Sequence, residues 1–375
     1  MSRKNPISEL TIKGFKSIRS LDRFELSNLN VLLGANGAGK SSFVSYFQML
    51  GSMMDGQLKA WTLNQGSADR VLSFGVKETS EISSFVKFGL NGYKFRLQPT
   101  SEEAFLIAEE KLYFKGPQFG DAWITLGEGY SEAKLSQARS RNALEAGFRR
   151  DAAAYCFDSI SNWKVYHFHD TSETALVKRS GSVENGEELA SDAGNLAAFL
   201  YRLQREEVDV YENIRRTIRL AIPYFDDFRL RPRVDRSEDE TVRLNWRQIG
   251  SKYNFSPSQL SDGSIRFICL VTALLQPNPP STIIIDEPEL GLHPYAITLL
   301  GSLLKSAASR MQVIVSTQSV PLVDEFAPDD LIIVEREDGG TVFKRLDSDE
   351  LASWLEDYSL GELWEKNVLG GRPRA

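Results

Sequence analysis

Apolar residues fall along this chain in three kinds of pattern, and each predicts a different element. Unbroken runs, from Leu29 to Leu33 and through Thr282-Ile-Ile-Ile-Asp286, read as strands buried on both faces of a parallel sheet. Between Ile82 and Leu126, Phe85-Val-Lys-Phe-Gly-Leu90, Tyr93-Lys-Phe-Arg-Leu97 and Lys111-Leu-Tyr-Phe114 alternate apolar with polar residues between Gly, Asn and Pro. That alternation predicts antiparallel strands. From Ala133 to Phe225 the period lengthens, with Leu196, Phe199, Leu200 and Leu203 on one helical face. Leu331-Ile-Ile-Val-Glu335 and Thr341-Val-Phe-Lys344 flank Gly339-Gly340 as a closing hairpin. No heptad pattern is sustained, so a short helical insertion is expected rather than a coiled-coil arm.

The expected fold class is therefore α/β, with a mixed β-sheet core, an antiparallel β subdomain and a helical insertion. Three segments follow: an N-terminal lobe over 1–132, the insertion over 133–235, and a C-terminal lobe over 236–375. Composition is that of an ordinary globular protein, with 42% hydrophobic and 25% charged residues in 375. Of the two cysteines, Cys269 sits in the apolar stretch Ile268 to Leu275, which predicts a buried thiol rather than a disulfide. No apolar run approaches 18 residues and no signal-type segment opens the chain, so a cytoplasmic protein without a membrane partner is expected.

The net charge of −7 argues against attraction to nucleic acid over the whole surface. Arg139, Arg141, Arg149 and Arg150, then Arg229, Arg231, Arg233 and Arg236, form local basic clusters. Such clusters are usually solvated faces balanced by nearby acids. DNA stays an open partner on this evidence. In Tyr166-His167-Phe168-His169-Asp170 the alternating histidines share one face of a strand, and with no cysteine or further histidine nearby a packing or polar role is expected.

Candidate chemistry begins at Gly34-Ala-Asn-Gly-Ala-Gly39-Lys40-Ser41, which matches the eight-residue phosphate loop. It follows the apolar run at Leu29 and opens a helical pattern through Phe43, Val44, Phe47 and Leu50. Small residues let the backbone curl until its N–H groups face phosphate, reinforced by the helix N-terminus. Asn36, Gly37, Gly39, Lys40, Ser41 and Ser42 are thus expected to hold ATP. Lys40 reaches the β- and γ-phosphates, and the Ser41 hydroxyl ligates Mg²⁺.

Asp286 and Glu287 close an apolar run, and Pro288 with the turn Gly291-Leu292-His293-Pro294 holds the pair at a strand tip. Asp286 suits the Mg²⁺ shell and Glu287 suits polarising the attacking water. Lys40 and Asp286 stand 246 positions apart, and no Asn-Lys-x-Asp guanine-reading motif occurs, which disfavours a small GTPase. Upstream lies Leu260-Ser261-Asp262-Gly263-Ser264; downstream lies Val315-Ser316-Thr317-Gln318-Ser319.

Together these motifs resemble the P-loop ABC-type ATPases of the RecF/SMC/OLD group, and more narrowly compact bacterial AAA-class ATPases of phage-defence and mobile-element conflict systems. They cover roughly residues 5–50 and 250–335. The resemblance implies a homodimer, or a higher even-numbered oligomer, in which Ser261 and Gly263 of one subunit contact the γ-phosphate held at Lys40 of the other. It puts the turn from Gly291 to Pro294 at the dimer seam. It also implies that Gln318 occupies the switch position, where ABC transporters commonly carry histidine; an amide can bond phosphate or water but cannot change charge near neutral pH. Gln65, before Gly66-Ser67, is the nearest candidate for the glutamine that ligates Mg²⁺ between the two halves. About 40 residues follow the motif-bearing stretch that ends near residue 335, too few for the nuclease domain of larger OLD-type proteins. The expectation is an ATPase that switches or scaffolds a separate effector protein, the alternative being a RecF-like ATP-gated DNA clamp.

Overall fold

In the computed structural model, residues 6–116, 120–138, 147–234 and 239–371 are described. Two six-stranded sheets dominate. The first is antiparallel, in the order β2-β1-β4-β5-β6-β7, from β1 (Glu9–Phe15), β2 (Ile18–Glu25), β4 (Ile82–Phe88), β5 (Asn91–Pro99), β6 (Phe105–Gly116) and β7 (Gly120–Gly127). The second runs β17-β16-β3-β15-β14-β8, from β3 (Leu29–Leu33), β8 (Lys164–Tyr166), β14 (Thr282–Asp286), β15 (Gln312–Thr317), β16 (Leu331–Glu337) and β17 (Gly340–Arg345). All its pairings are parallel except the β16–β17 hairpin. Short strands β9 (Gly181–Ser182), β10 (Phe225–Phe228), β11 (Arg233–Val234), β12 (Glu240–Val242) and β13 (Trp246–Gln248) form two small ribbons.

The unbroken apolar runs lie where period-two geometry requires both faces to be covered. Leu32, Ile284, Ile314 and Ile332 point to one side, where helix α1 (Lys40–Met54) separates this sheet from the antiparallel one. Val31, Leu33, Ile283, Ile285, Val313 and Val315 point to the other. There they meet α6 (Leu196–Glu206), α7 (Val208–Ala221), α8 (Asp262–Leu275) and α9 (Pro294–Ala308). Remaining helices are α2 (Leu58–Asn64), α3 (Ala68–Val71), α4 (Leu135–Ala138), α5 (Gly147–Ser161), α10 (Val320–Val323), α11 (Ser348–Leu355) and α12 (Leu360–Glu365).

The segment expected as a helical insertion is more divided than its periodicity implied. Helix α5 buries Ala153, Cys156 and Ile160 in the core of the antiparallel lobe, whereas α6 and α7 pack on the opposite face of the parallel sheet. Between them β8 joins that sheet beside β14. Three residues are too few to show a period, so tertiary pairing decides their structure. The antiparallel sheet likewise recruits β1 and β2, from before the phosphate loop.

Both cysteines are buried and free, and burial pushes the Cys269 thiol up to about 12. Arg139, Arg141 and Arg236 lie outside the described residues, as do the side chains of Arg149 and Arg150. Among the described residues, no helix is long and apolar enough to cross a membrane.

Candidate nucleotide site

The phosphate loop leaves the C-terminal end of β3 and enters α1, so its amides and the helix N-terminus point the same way. Gly37 and Gly39 take positive φ angles of 80° and 118°. A side chain on Gly39 would collide with Thr341 Oγ1, only 2.0 Å from where its Cβ would stand. Thr341 donates to the Ala38 carbonyl at 2.9 Å, and its hydroxyl is hydrogen-bonded to Ser17 Oγ at 2.7 Å, which in turn meets Ser42 Oγ at 2.8 Å. The hairpin start and the β1–β2 turn therefore prop the loop from behind. Neither Ser17 nor Thr341 carries a motif signal; only their neighbouring turn glycines, Gly14 and Gly340, mark the positions.

Lys40 is almost fully buried, with its ammonium on the Gly34 carbonyl at 2.6 Å and the Ala35 carbonyl at 3.1 Å. Desolvation lowers its pKa, opposed by the charges of Glu287, Asp286 and Glu289. A cation and three carboxylates that are 246 or more positions apart in sequence thus share one electrostatic field.

Asp286 ends β14, and Ser316 on the neighbouring strand donates to its carboxylate. Glu287 sits at φ 44°, a left-handed backbone that a non-glycine residue adopts only under constraint. Its N–H is held by the Ser316 carbonyl at 2.9 Å, and its Oε1 accepts from the Gln318 amide at 3.0 Å. Strand tip, strained backbone and the Gln318 amide therefore aim one carboxylate. Glu289, for which the sequence offered no role, is buried behind it. Thr317 and the Gln318 N–H donate to its Oε1 at 2.6 and 3.4 Å, while Oε2 has no partner. Desolvation raises its pKa.

Ser261 caps α8, its Oγ accepting the Ser264 N–H at 3.2 Å, and remains exposed. Gly263 is packed so closely on the turn after the acidic strand that a Cβ would stand 2.3 Å from the Gly291 carbonyl. Arg266, one turn along α8, donates to the carbonyls of Phe168, His169 and Leu290 at 2.8 to 3.1 Å. The turn at Ser261 is thus locked to the turn that follows the acidic strand of its own chain.

Gln65 contacts the turn between β1 and β2. Its side-chain oxygen accepts the Lys16 ammonium at 2.8 Å, and Lys16 also donates to Ser45 at 2.6 Å. His167 stands beside Asp286. Tyr166 lies opposite Ile285 in the parallel β8–β14 pair, which carries the next residue to the level of Asp286. His167 Nε2 stands 2.5 Å from Gln48 Nε2 on α1; burial lowers its pKa, opposed by Asp286. The expected polar role of this histidine is met within the site, and only the long-range pairing of β8 reveals it.

Ser41 and Asp286 offer an oxygen-only donor set, which suits a hard ion that keeps most of its waters and binds with substrate phosphate. Among the described residues no group of three or more His, Cys, Asp or Glu side chains is placed to hold a metal alone.

Comparison with known proteins agrees with this geometry. Residues 29–325 match the family model described as "AAA domain, putative AbiEii toxin, Type IV TA system". The chain is 26% identical over 203 residues to the DNA replication and repair protein RecF of Vibrio atlanticus, covering 45% of this chain and 56% of that protein. It is 30% identical over 135 residues to Nod factor export ATP-binding protein I of Rhizobium johnstonii, covering 35% and 40% respectively. The chain thus spans about half the length of these relatives. Among solved structures, an SMC head bound to the C-terminal winged-helix domain of ScpA aligns with a TM-score of 0.56 at 15% identity, covering 93% of this chain and 99% of that one. The Pyrococcus furiosus head domain with an extended coiled coil aligns at 0.54 and 16%, covering 94% and 99%. The chain belongs to this AAA family and shares its fold with SMC head domains.

Proposed function

We propose that the protein is a dimeric ATP-binding and ATP-hydrolysing switch that controls a separate effector, acting in the cytoplasm in anti-phage or genome-conflict defence. One observation carries the reading: the exposed N-terminus of α8, with Ser261 at its cap, is fixed to the turn that follows Glu287. A γ-phosphate brought by a second copy would meet that end, so closure of the pair and completion of the site become the same event. The family's description as a putative AbiEii toxin supports the setting in genome conflict.

Within the site, the loop amides from Asn36 to Ser42 hold the phosphates, and Lys40 exchanges its loop carbonyls for phosphate oxygen. Glu287 accepts a hydrogen bond from the attacking water, while Gln318 fixes that carboxylate and senses the γ-phosphate. Ser41 and Asp286 would hold Mg²⁺, which when bound neutralises charge on the β- and γ-phosphates. His167, held by Gln48, stands beside Asp286, while Ser316 orients the Asp286 carboxylate.

The similarity to RecF favours a second reading, an ATP-gated DNA clamp. A mobility-shift titration with and without a non-hydrolysable ATP analogue separates the two. The switch predicts weak DNA binding that falls steeply with salt and ignores nucleotide, since only local arginine patches are available on an acidic protein. Tight binding at physiological salt, strengthened by the analogue, overturns the switch in favour of the clamp.

A further inference from the structure

The last described stretch of the chain touches both halves of the nucleotide site, a contact that no motif foreshadows. Helix α12 packs on α10, the helix that follows Gln318: the Gly361 N–H donates to Asp324 at 2.7 Å. A Cβ on Gly361 would stand 2.6 Å from Val320 Cγ1, so the approach is a close one. Ser359 and Glu362 close the N-terminus of α12 as a capping box, and Leu363 and Trp364 are buried beneath it.

Asn367, Gly370 and Gly371 then turn the chain through positive φ angles of 58°, 83° and 81°. The turn delivers Gly371 to the phosphate loop. Its carbonyl accepts the Ala35 N–H at 2.9 Å, and its own N–H donates to the Glu335 carboxylate on β16. Ala35 is the residue whose carbonyl also receives Lys40. The peptide unit of the Ala35 N–H carries the Gly34 carbonyl, which Lys40 also contacts, so one unit of the phosphate loop is held by the strap on one side and by Lys40 on the other.

We propose that residues 360–371 are a positioning strap, which fixes the phosphate loop through Ala35 and ties it to the switch helix through Asp324. Lys40 must leave the Gly34 and Ala35 carbonyls to reach phosphate. The strap supplies a fixed partner for Ala35 during that exchange, so the loop keeps its curl when its lysine departs. Because the other end grips α10, a shift of Gln318 on γ-phosphate binding is transmitted to the loop. Glu335, which no motif marks, is the hinge pin. The inference rests on the ATP-site reading above.

The test is equilibrium binding of a fluorescent ATP analogue with Mg²⁺, alongside turnover at saturating ATP and melting without nucleotide. Compared are the full chain, a chain ending at Asn367, Glu335→Ala, Glu335→Gln, and Glu335→Ala in the shortened chain. Loss of one charge-assisted anchor predicts affinity weakened about tenfold by Glu335→Ala and by shortening alike, with turnover changed less than about twofold. Glu335→Gln keeps an acceptor oxygen and is expected within about twofold of the full chain. Because both changes break one connection, the double variant should lose no more than either single one. Unchanged affinity in Glu335→Ala, or equal losses from it in the full and shortened chains, overturns the strap. Glu335→Ala leaves the chain intact, so it carries the test if the shortened protein unfolds. A full-length protein that binds no ATP overturns the underlying site reading, and the strap with it.

Discussion

Two buried glutamates divide this molecule into a part built for stability and a part built for chemistry. Glu110, in β6 of the antiparallel lobe, is fully buried, and its carboxylate accepts the Tyr93 hydroxyl at 2.8 Å and the N–H groups of Lys134 and Leu135 at 2.9 and 3.0 Å. Glu289, beyond the tip of β14, is nearly as buried but leaves one oxygen without a partner, three residues after a strand end whose backbone is forced left-handed at Glu287. Desolvation raises the pKa of both. A polar group that closes its hydrogen bonds inside the fold marks structure. One left open at a strand tip, among a buried lysine and two further carboxylates, marks a place where a ligand completes the set.

If this contrast is right, changes at the catalytic tip should alter turnover and leave stability nearly intact. The largest effect is expected there: Glu287→Gln should retain ATP binding and lose about 10²- to 10⁴-fold in turnover, as general-base removal does. Lys40→Ala should abolish binding itself, because Lys40 holds phosphate in the ground state. Steady-state hydrolysis with a parallel binding titration checks both. Unchanged turnover in Glu287→Gln removes its assignment.

The opposite signature is expected from Glu110→Ala. It strands two backbone N–H groups and a tyrosine hydroxyl, so chemical denaturation should show a loss of about 2–4 kcal/mol with ATP affinity unchanged. A loss of affinity without loss of stability would erase the contrast.

The smallest effect sharpens the comparison by pH. A carboxylate whose folded-state pKa is raised binds its proton more tightly in the native state. Its contribution is therefore most favourable below the unfolded pKa and is lost as pH rises through the folded one. Glu289→Gln keeps an acceptor for Thr317 but removes the desolvated charge. Melting temperature should rise slightly above wild type at neutral pH, and the gap should close as pH falls towards the ordinary carboxylate range. A gap that widens on acidification contradicts the burial argument.

How much of this was legible in the sequence follows from the range of the interactions. Glycine spacing at Gly34 to Ser41 and the run Ile283 to Asp286 declare their conformations locally, because a curled loop needs small residues and a doubly covered strand needs unbroken apolar ones. The alternation from Ile82 to Leu126 gave four strands for the same reason. What stayed hidden depends on pairing across the chain. Lys164-Val-Tyr166 is too short to announce a strand, so the place of His167 beside Asp286 could not be read. The contact of Gln65 with Lys16 spans 49 positions and likewise has no local signal. Gly371 on Ala35 spans almost the whole chain and has no local signature at all.

The composite site is the central claim, and mixing two inactive variants tests it most directly. Ser261→Arg should bind ATP without hydrolysing it, since a bulky cation blocks the signature turn, whereas Lys40→Ala should not bind. A mixed dimer contains one site with both defects and one with neither. Random exchange of subunits in an equal mixture should therefore restore about a quarter of wild-type turnover, from protein inactive in either pure form. Mixed dimers that form, as judged by a crosslink across the Gly291–Pro294 seam, and yet hydrolyse no ATP would contradict the account.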